Sequence, residues 1–130
     1  MLRFIGIAKT PYKDKNSAPR QGRFSNDISE IEILKEFSAG LEGISKFRYL
    51  IVLYWMHLAE RDKLKATPPD GEECGVFATR SPNRPNPIGF CVVELLEIRK
   101  NILIVRWLDA VDGSPIIDIK PFFSEIDCIQ

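Results

Sequence analysis

The stretch "IGFCVVELLEIRKNILIVRWLDA", residues 88–110, decides the fold class. Two apolar segments rich in β-branched residues flank the polar trio Arg99, Lys100 and Asn101. That pattern predicts two antiparallel strands joined by a hairpin turn. Working outward, "FRYLIVLYWMH" (residues 47–57) is almost continuously apolar and aromatic, as a central strand buried on both faces would be. In "EIEILKEF" the pairs Glu30, Ile31 and Glu32, Ile33 alternate with period two, the mark of a half-buried strand. Further short strands are expected over residues 3–9, in "CGVFATR" (residues 74–80) and over residues 116–119. A short helical or turn segment is expected at residues 35–43, where Gly40 and Gly43 punctuate the chain. Many short strands with turn signals between them predict a mostly-β barrel or sandwich with one or two short helices.

A chain of 130 residues is the size of one domain, here residues 1–130. A domain of that size buries about two-thirds of its unfolded surface, enough for a core without disulfides or metal. Hydrophobic residues make up 45% and charged residues 28%, so the chain is globular rather than disordered. Its 18 basic and 18 acidic residues cancel, and any polyanion must be met by local patches. Such patches exist. Arg3, Lys9, Lys13, Lys15, Arg20 and Arg23 face only Asp14 near the start, and Arg61, Lys63 and Lys65 form a second group. Most isolated charges of this kind are ordinary solvated surface.

Cys74, Cys91 and Cys128 are odd in number and lack CxxC spacing, and His57 is the lone histidine. No zinc site is expected, and free thiols point to a reducing cytoplasm. The segment "MLRFIGIAK" is too short and polar for a signal peptide, and no apolar run approaches a membrane span. There is no GxGxxG after a strand, no GxxxxGK[ST], no GxSxG and no HExxH. A Rossmann dinucleotide or methyltransferase site is therefore not supported.

The unusual motif is "RSPNRPNPIGF", residues 80–90. Pro82, Pro85 and Pro87 fix their own φ and push Ser81, Arg84 and Asn86 toward extended geometry. The loop is thus stiff before any ligand arrives, which lowers the entropic cost of binding. Its carbonyls and the Asn86 amide are expected to be available to donors on a ligand. Arg80 and Arg84 offer paired donors for a carboxylate or phosphate. Gly89 permits close approach of a ligand to the backbone. By themselves these residues fit a kinked strand crossing equally well.

"GVFATRSPNRPNPIGF" resembles the signature of the TsaA/TrmO-like family of S-adenosylmethionine-dependent tRNA methyltransferases, which act on threonylcarbamoyl-adenosine beside the anticodon. The resemblance extends to "IGIAKTPYKDKNSAPRQG", "GLEGISKFRYLIVLYWMH" and "LDAVDGSPIIDIKPF", four ordered blocks covering nearly the whole chain. It implies a single β-barrel that binds S-adenosyl-L-methionine without a Rossmann domain, works as a homodimer and meets the tRNA anticodon loop. Bacterial relatives of this family often carry a further C-terminal portion.

The resemblance also implies cofactor contacts from Pro19, Arg20, Gln21, His57, Leu58, Arg80, Phe90, Asp112, Gly113, Ser114 and Pro115. The chemistry is compatible: arginine suits the donor's carboxylate, Asp112 its diol or ammonium, and carbonyls and aromatic faces its sulfonium. Without the family match His57 and Phe90 read as core and Asp112-Gly113 as a hairpin turn. Tyr54 and Trp55 read as core throughout. The catalytic candidates are Asn86, accepting hydrogens of the adenine nitrogen, and Arg84, holding a threonyl carboxylate or phosphate. Asp118 and Lys120 are weaker ones, and no general base is assigned. Lys13, Lys15, Arg23, Arg61, Lys63 and Lys65 are expected at phosphates. The alternatives are a non-catalytic cofactor- or RNA-binding barrel and a methyltransferase acting on another small amine.

Overall fold

The computed structural model describes residues 1–129. Six strands close into a barrel: β1 (Gly6–Lys9), β2 (Ile28–Ile33), β3 (Tyr49–Trp55), β6 (Ile88–Arg99), β7 (Ile102–Arg106) and β8 (Pro115–Pro121). Between β3 and β6 lies a small two-stranded ribbon, β4 (Lys65–Ala66) with β5 (Cys74–Gly75). The barrel order is β1-β2-β7-β6-β3-β8, and all its recorded pairings are antiparallel. Closure settles the choice between barrel and sandwich, and it leaves no open sheet edge.

The predicted hairpin is the β6–β7 pair. Arg99 pairs with Ile102, and Lys100 takes the positive φ of 56° that the tight reversal needs. Strand alternation then sorts the side chains. Ile31 and Ile33 from β2, Leu50, Val52 and Tyr54 from β3, Cys91 and Val93 from β6, and Leu103 and Val105 from β7 all point into one core.

Two sequence expectations change. β3 is buried on one face only: Ile51, Leu53 and Trp55 on its other face are half-covered, because the strand lies in a barrel wall with no layer outside it. "CGVFATR" is not a strand beyond Cys74–Gly75. Val76–Ala78 forms a 3-10 turn, because both the amide and the hydroxyl of Thr79 bond to the Val76 carbonyl while the Val76 side chain is buried. Helix is scarce, as expected. The 35–43 segment holds a 3-10 turn at Lys35–Leu41, and the single α-helix among the described residues, α1, spans Ser124–Asp127.

Leu103 is fully buried in the barrel centre. Truncating it leaves a void that close-packed neighbours fill only in part. Leu103→Ala is expected to cost about 2–5 kcal/mol, read as a fall in the urea midpoint with an unchanged m-value.

Candidate functional site

One end of the barrel opens into a cavity of ≈ 550 Å³. Its walls come from five places far apart in sequence. Met56 to Ala59 follow β3, Ile88 to Phe90 begin β6, and Asp109, Val111 and Ser114 precede β8. The loop ahead of β2 supplies Pro19, Arg20 and Gln21, and the proline loop supplies Arg80, Pro82 and Arg84. A guanidinium N–H of Arg80 reaches Oε1 of Gln21 at 3.5 Å, so the two loops meet over the opening.

The proline loop is held by more than its prolines. Arg61 Nε donates to the Pro85 carbonyl at 2.8 Å, and its Nη2 donates to Asn86 Oδ1 at 3.3 Å. The Met56 amide donates to the Pro87 carbonyl, and the Glu60 amide to Asn83 Oδ1. From inside, Arg84 Nη2 donates to the carbonyls of Val76 and Thr79. The carbonyls of Pro85 and Pro87 are therefore spent within the protein and not offered to a ligand. The loop's role is to fix Arg80, Pro82 and Arg84 along one wall.

The cavity floor carries a carboxylate that sequence reasoning passed over. Tyr54 Oη donates to Asp109 Oδ1 at 2.5 Å, across a separation of 55 residues. Beside them the Cys91 thiol donates to the Trp107 carbonyl at 2.8 Å. Burial pushes the Asp109 carboxyl above its ordinary range, against donors that include Tyr54 and the Gly22 amide. Burial, then the neighbouring Asp109, pushes Tyr54 and Cys91 up as well, so both keep their protons. Asp109 is the sole acid among the described residues lining the cavity, opposite Lys15, Arg20, Arg80 and Arg84.

Two glycines make this arrangement possible. A β-carbon on Gly89 would lie 2.3 Å from Cζ of Tyr54, its cross-strand partner, so only glycine leaves room for that ring. A β-carbon on Gly22 would lie 1.5 Å from the Trp107 carbonyl oxygen. Glycine there lets the loop press against the barrel and bring its amide to Asp109.

The family of the tRNA-methyltransferase O N-terminal domain matches residues 7–128. The chain belongs to this family. An S-adenosyl-L-methionine-binding protein of Archaeoglobus fulgidus is 60% identical over 131 residues, covering 100% of this chain and 94% of that protein. A tRNA (adenine(37)-N6)-methyltransferase of Escherichia coli is 37% identical over 130 residues, covering 91% of this chain and 55% of that protein. A crystal structure of TrmO from Pseudomonas aeruginosa superposes with a TM-score of 0.82 at 30% identity, covering 99% of this chain and 58% of that one.

On this TrmO-type barrel, nine of the sequence candidates gather at the cavity: Pro19, Arg20, Gln21, His57, Leu58, Arg80, Arg84, Phe90 and Ser114. Arg84 arrives with one nitrogen already committed to backbone carbonyls. Ser114 is buried and bonds to the Val111 carbonyl, closing the turn in which Gly113 takes a φ of 86°. Asn86, Asp112, Gly113 and Pro115 do not line the cavity. Asn86 faces Arg61, and Asp112 accepts from the Thr10 amide at 2.9 Å and from Lys13 at 3.0 Å. Asp118 pairs with Lys120 at 3.0 Å away from the opening. No cluster of three metal-ligating side chains occurs among the described residues, and no helix there is long and apolar enough to cross a membrane.

Tyr54 and Asp109 left one signal in the sequence: a tyrosine opposite a glycine on adjoining strands, and an acid following an apolar strand. Neither points to the other without the register. The raised carboxyl of Asp109 has a thermodynamic consequence. A carboxyl raised in the folded state favours folding below its unfolded value, and that advantage fades as pH climbs to the folded value. Asp109→Asn is therefore expected to melt near the parent at acid pH. It should melt above the parent once pH passes the ordinary carboxylate range, the gap levelling off higher up. Paired melting curves across pH measure this.

Proposed function

We propose that the chain is an S-adenosylmethionine-dependent methyltransferase acting on adenine N6 in tRNA, specifically on threonylcarbamoyl-adenosine beside the anticodon. The observation that carries this reading is the cavity itself. It holds one half-buried, tyrosine-bonded carboxylate facing a cationic rim, in a barrel whose family includes a tRNA (adenine(37)-N6)-methyltransferase.

The residues present fit the cofactor. A volume of ≈ 550 Å³ falls in the range of about 300–1,000 Å³ usual for small-molecule sites. Arg20 and Arg80 suit an amino-acid carboxylate, Gln21 offers a donor and an acceptor to a purine edge, and Phe90 presents a ring beneath Arg80. The bound cofactor supplies an electrophilic methyl on a cationic sulfur. The protein's part is to hold the adenine nitrogen in line with it and to take up the proton that nitrogen loses. Asp109 is the acceptor: its carboxylate keeps lone pairs free after Tyr54 has bonded Oδ1, and its raised proton affinity suits a general base. Tyr54 orients it, and Gly89 gives Tyr54 its place. Positioning supplies much of the remaining rate.

The same reading makes the enzyme a cytosolic homodimer. The outer face of β3 and β6 supports it, since Ile51, Leu53 and Trp55 pair there with Val92, Phe90 and Ile88. Ile88 and Phe90 remain 40% and 49% exposed, an apolar surface continuous with the cavity rim.

The decisive experiment is methyl transfer to total tRNA followed by nucleoside mass spectrometry, with unmodified tRNA in parallel. A methyl group on the threonylcarbamoyl-adenosine nucleoside is the expected product, and transfer to neither pool would refute the assignment. Arg80→Ala should weaken cofactor binding about tenfold in calorimetry, because the amino-acid carboxylate then lacks a paired donor, while the melting temperature holds. Asp109→Asn should bind cofactor nearly as well as the parent and lose turnover by about 10²–10⁴-fold. Abolished binding instead would make Asp109 a cofactor anchor.

A further inference from the structure

Outside the cavity, the barrel wall carries a second cluster that the proposed chemistry does not use. Trp107 follows β7 and sits at φ 77°, a conformation that bulky side chains rarely take. Its ring lies parallel to that of Tyr49, with centroids 6.0 Å apart and planes 5° apart. The guanidiniums of Arg23 and Arg106 lie over it at 4.3 and 4.6 Å, and that of Arg48 lies 5.4 Å from the Tyr49 ring. Glu94, only 4% exposed, holds two of these cations: Arg48 Nε donates to it at 2.7 Å, and Arg106 ion-pairs with its other oxygen. Arg48, outweighing burial, and then Arg106 hold the Glu94 carboxyl below its ordinary range. Two guanidiniums on one carboxylate, with a third over the indole, leave an excess of two positive charges among these four groups.

Arg23 stands apart from the other two. It is exposed and makes no ion pair among the described residues, and its guanidinium rests over the indole. Phe24 beside it in the same 3-10 turn is 70% exposed. The turn connects directly to the cavity, since Gln21 lines the cavity wall and Gly22 touches both Asp109 and the Trp107 carbonyl. Gln21 and Arg23 are at most about 7 Å apart along the chain.

We propose that the Arg23–Trp107–Tyr49 stack is a docking platform for single-stranded RNA, taking the nucleotide next to the base in the cavity. A guanidinium held over an indole has a planar face that can stack on a base and N–H edges that can meet a phosphate, so one residue can serve both contacts. Loop nucleotides, already unstacked, are the class of RNA that such a surface takes. A protein partner would leave the positive excess unmatched unless it were acidic, whereas RNA supplies the phosphate. The proposal deepens the tRNA reading above and rests on it for the occupant of the cavity.

The test uses the full chain and a synthetic RNA stem–loop with an adenosine-bearing loop, with blunt duplex RNA as control. Binding is followed by fluorescence anisotropy across salt concentrations. Arg23→Ala should weaken stem–loop binding about tenfold, as removal of one stacked base does, and flatten the log K–log salt slope by about 0.7. Arg23→Lys should restore the slope but not the affinity. Cofactor binding by calorimetry should match the parent in both variants. Unchanged stem–loop affinity in Arg23→Ala overturns the platform, as does an equal loss on duplex and stem–loop, which would mean charge alone. The two readings fail separately. Methyl transfer to tRNA by the parent with unaltered binding in Arg23→Ala sinks the platform only. An Arg23-dependent stem–loop affinity without methyl transfer sinks the cavity assignment only.

Discussion

The backbones of residues 22 and 107 touch, and the site depends on that contact. With a β-carbon on residue 22 placed 1.5 Å from the Trp107 carbonyl oxygen, no other amino acid lets the loop lie so close. Everything functional on this side follows from the approach. Arg20 and Gln21 reach the cavity, the Gly22 amide reaches Asp109, and Arg23 comes to rest on the indole. The barrel core does not need the contact, because its inward residues are supplied by the strands themselves. The contact ties a loop to a finished barrel, and it turns an open barrel end into a walled cavity.

What that cavity encloses is electrostatically one-sided. Taking a carboxylate out of water is costly, and proteins offset the cost with donors. At Asp109 the phenol of Tyr54 and backbone amides supply them, yet burial still dominates and the carboxyl stays raised. The balance differs at Glu94, which is buried. There two guanidiniums outweigh desolvation, and the carboxyl is lowered. Two acids in one small barrel, one half-buried and one buried, are thus driven in opposite directions by their neighbours. The one with neutral neighbours has the higher proton affinity and lines the cavity; the one with cationic neighbours braces a surface.

Much of this was legible in the sequence, and the boundary is physical. The hairpin at residues 99–102 was, because alternating apolar residues and a polar turn are local properties. The proline loop's stiffness was, because each proline acts on its own φ. Its hydrogen bonding was not. Whether the Pro85 carbonyl is free depends on Arg61, which is 24 residues away and reaches it only after the chain has folded. "CGVFATR" read as a strand because of its composition, while the turn at Val76 is set by Thr79 and by Arg84 from the next loop. Tyr54 read as core, correctly for its ring and incompletely for its hydroxyl. Asp109 was passed over because nothing within several residues of it explains why an acid should be buried there.

The zero net charge of the chain suggests indifference to polyanions, but folding redistributes that balance. Lys9, Lys13, Lys63, Arg99 and Lys120 are paired with acids, and Arg48 and Arg106 share one. Arg61 is occupied by the proline loop. Of the cations that make no ion pair among the described residues, Lys15, Arg20, Arg23 and Arg80 line the cavity or adjoin it, while Arg3, Lys35, Lys46, Lys65 and Lys100 do not line it. Because screening limits exposed charges to a range of about 8–10 Å at ordinary salt, an approaching strand responds to this local group and not to the total. A neutral protein can in this way present a cationic mouth around a half-buried acid, the polarity that attracts a phosphate-bearing ligand.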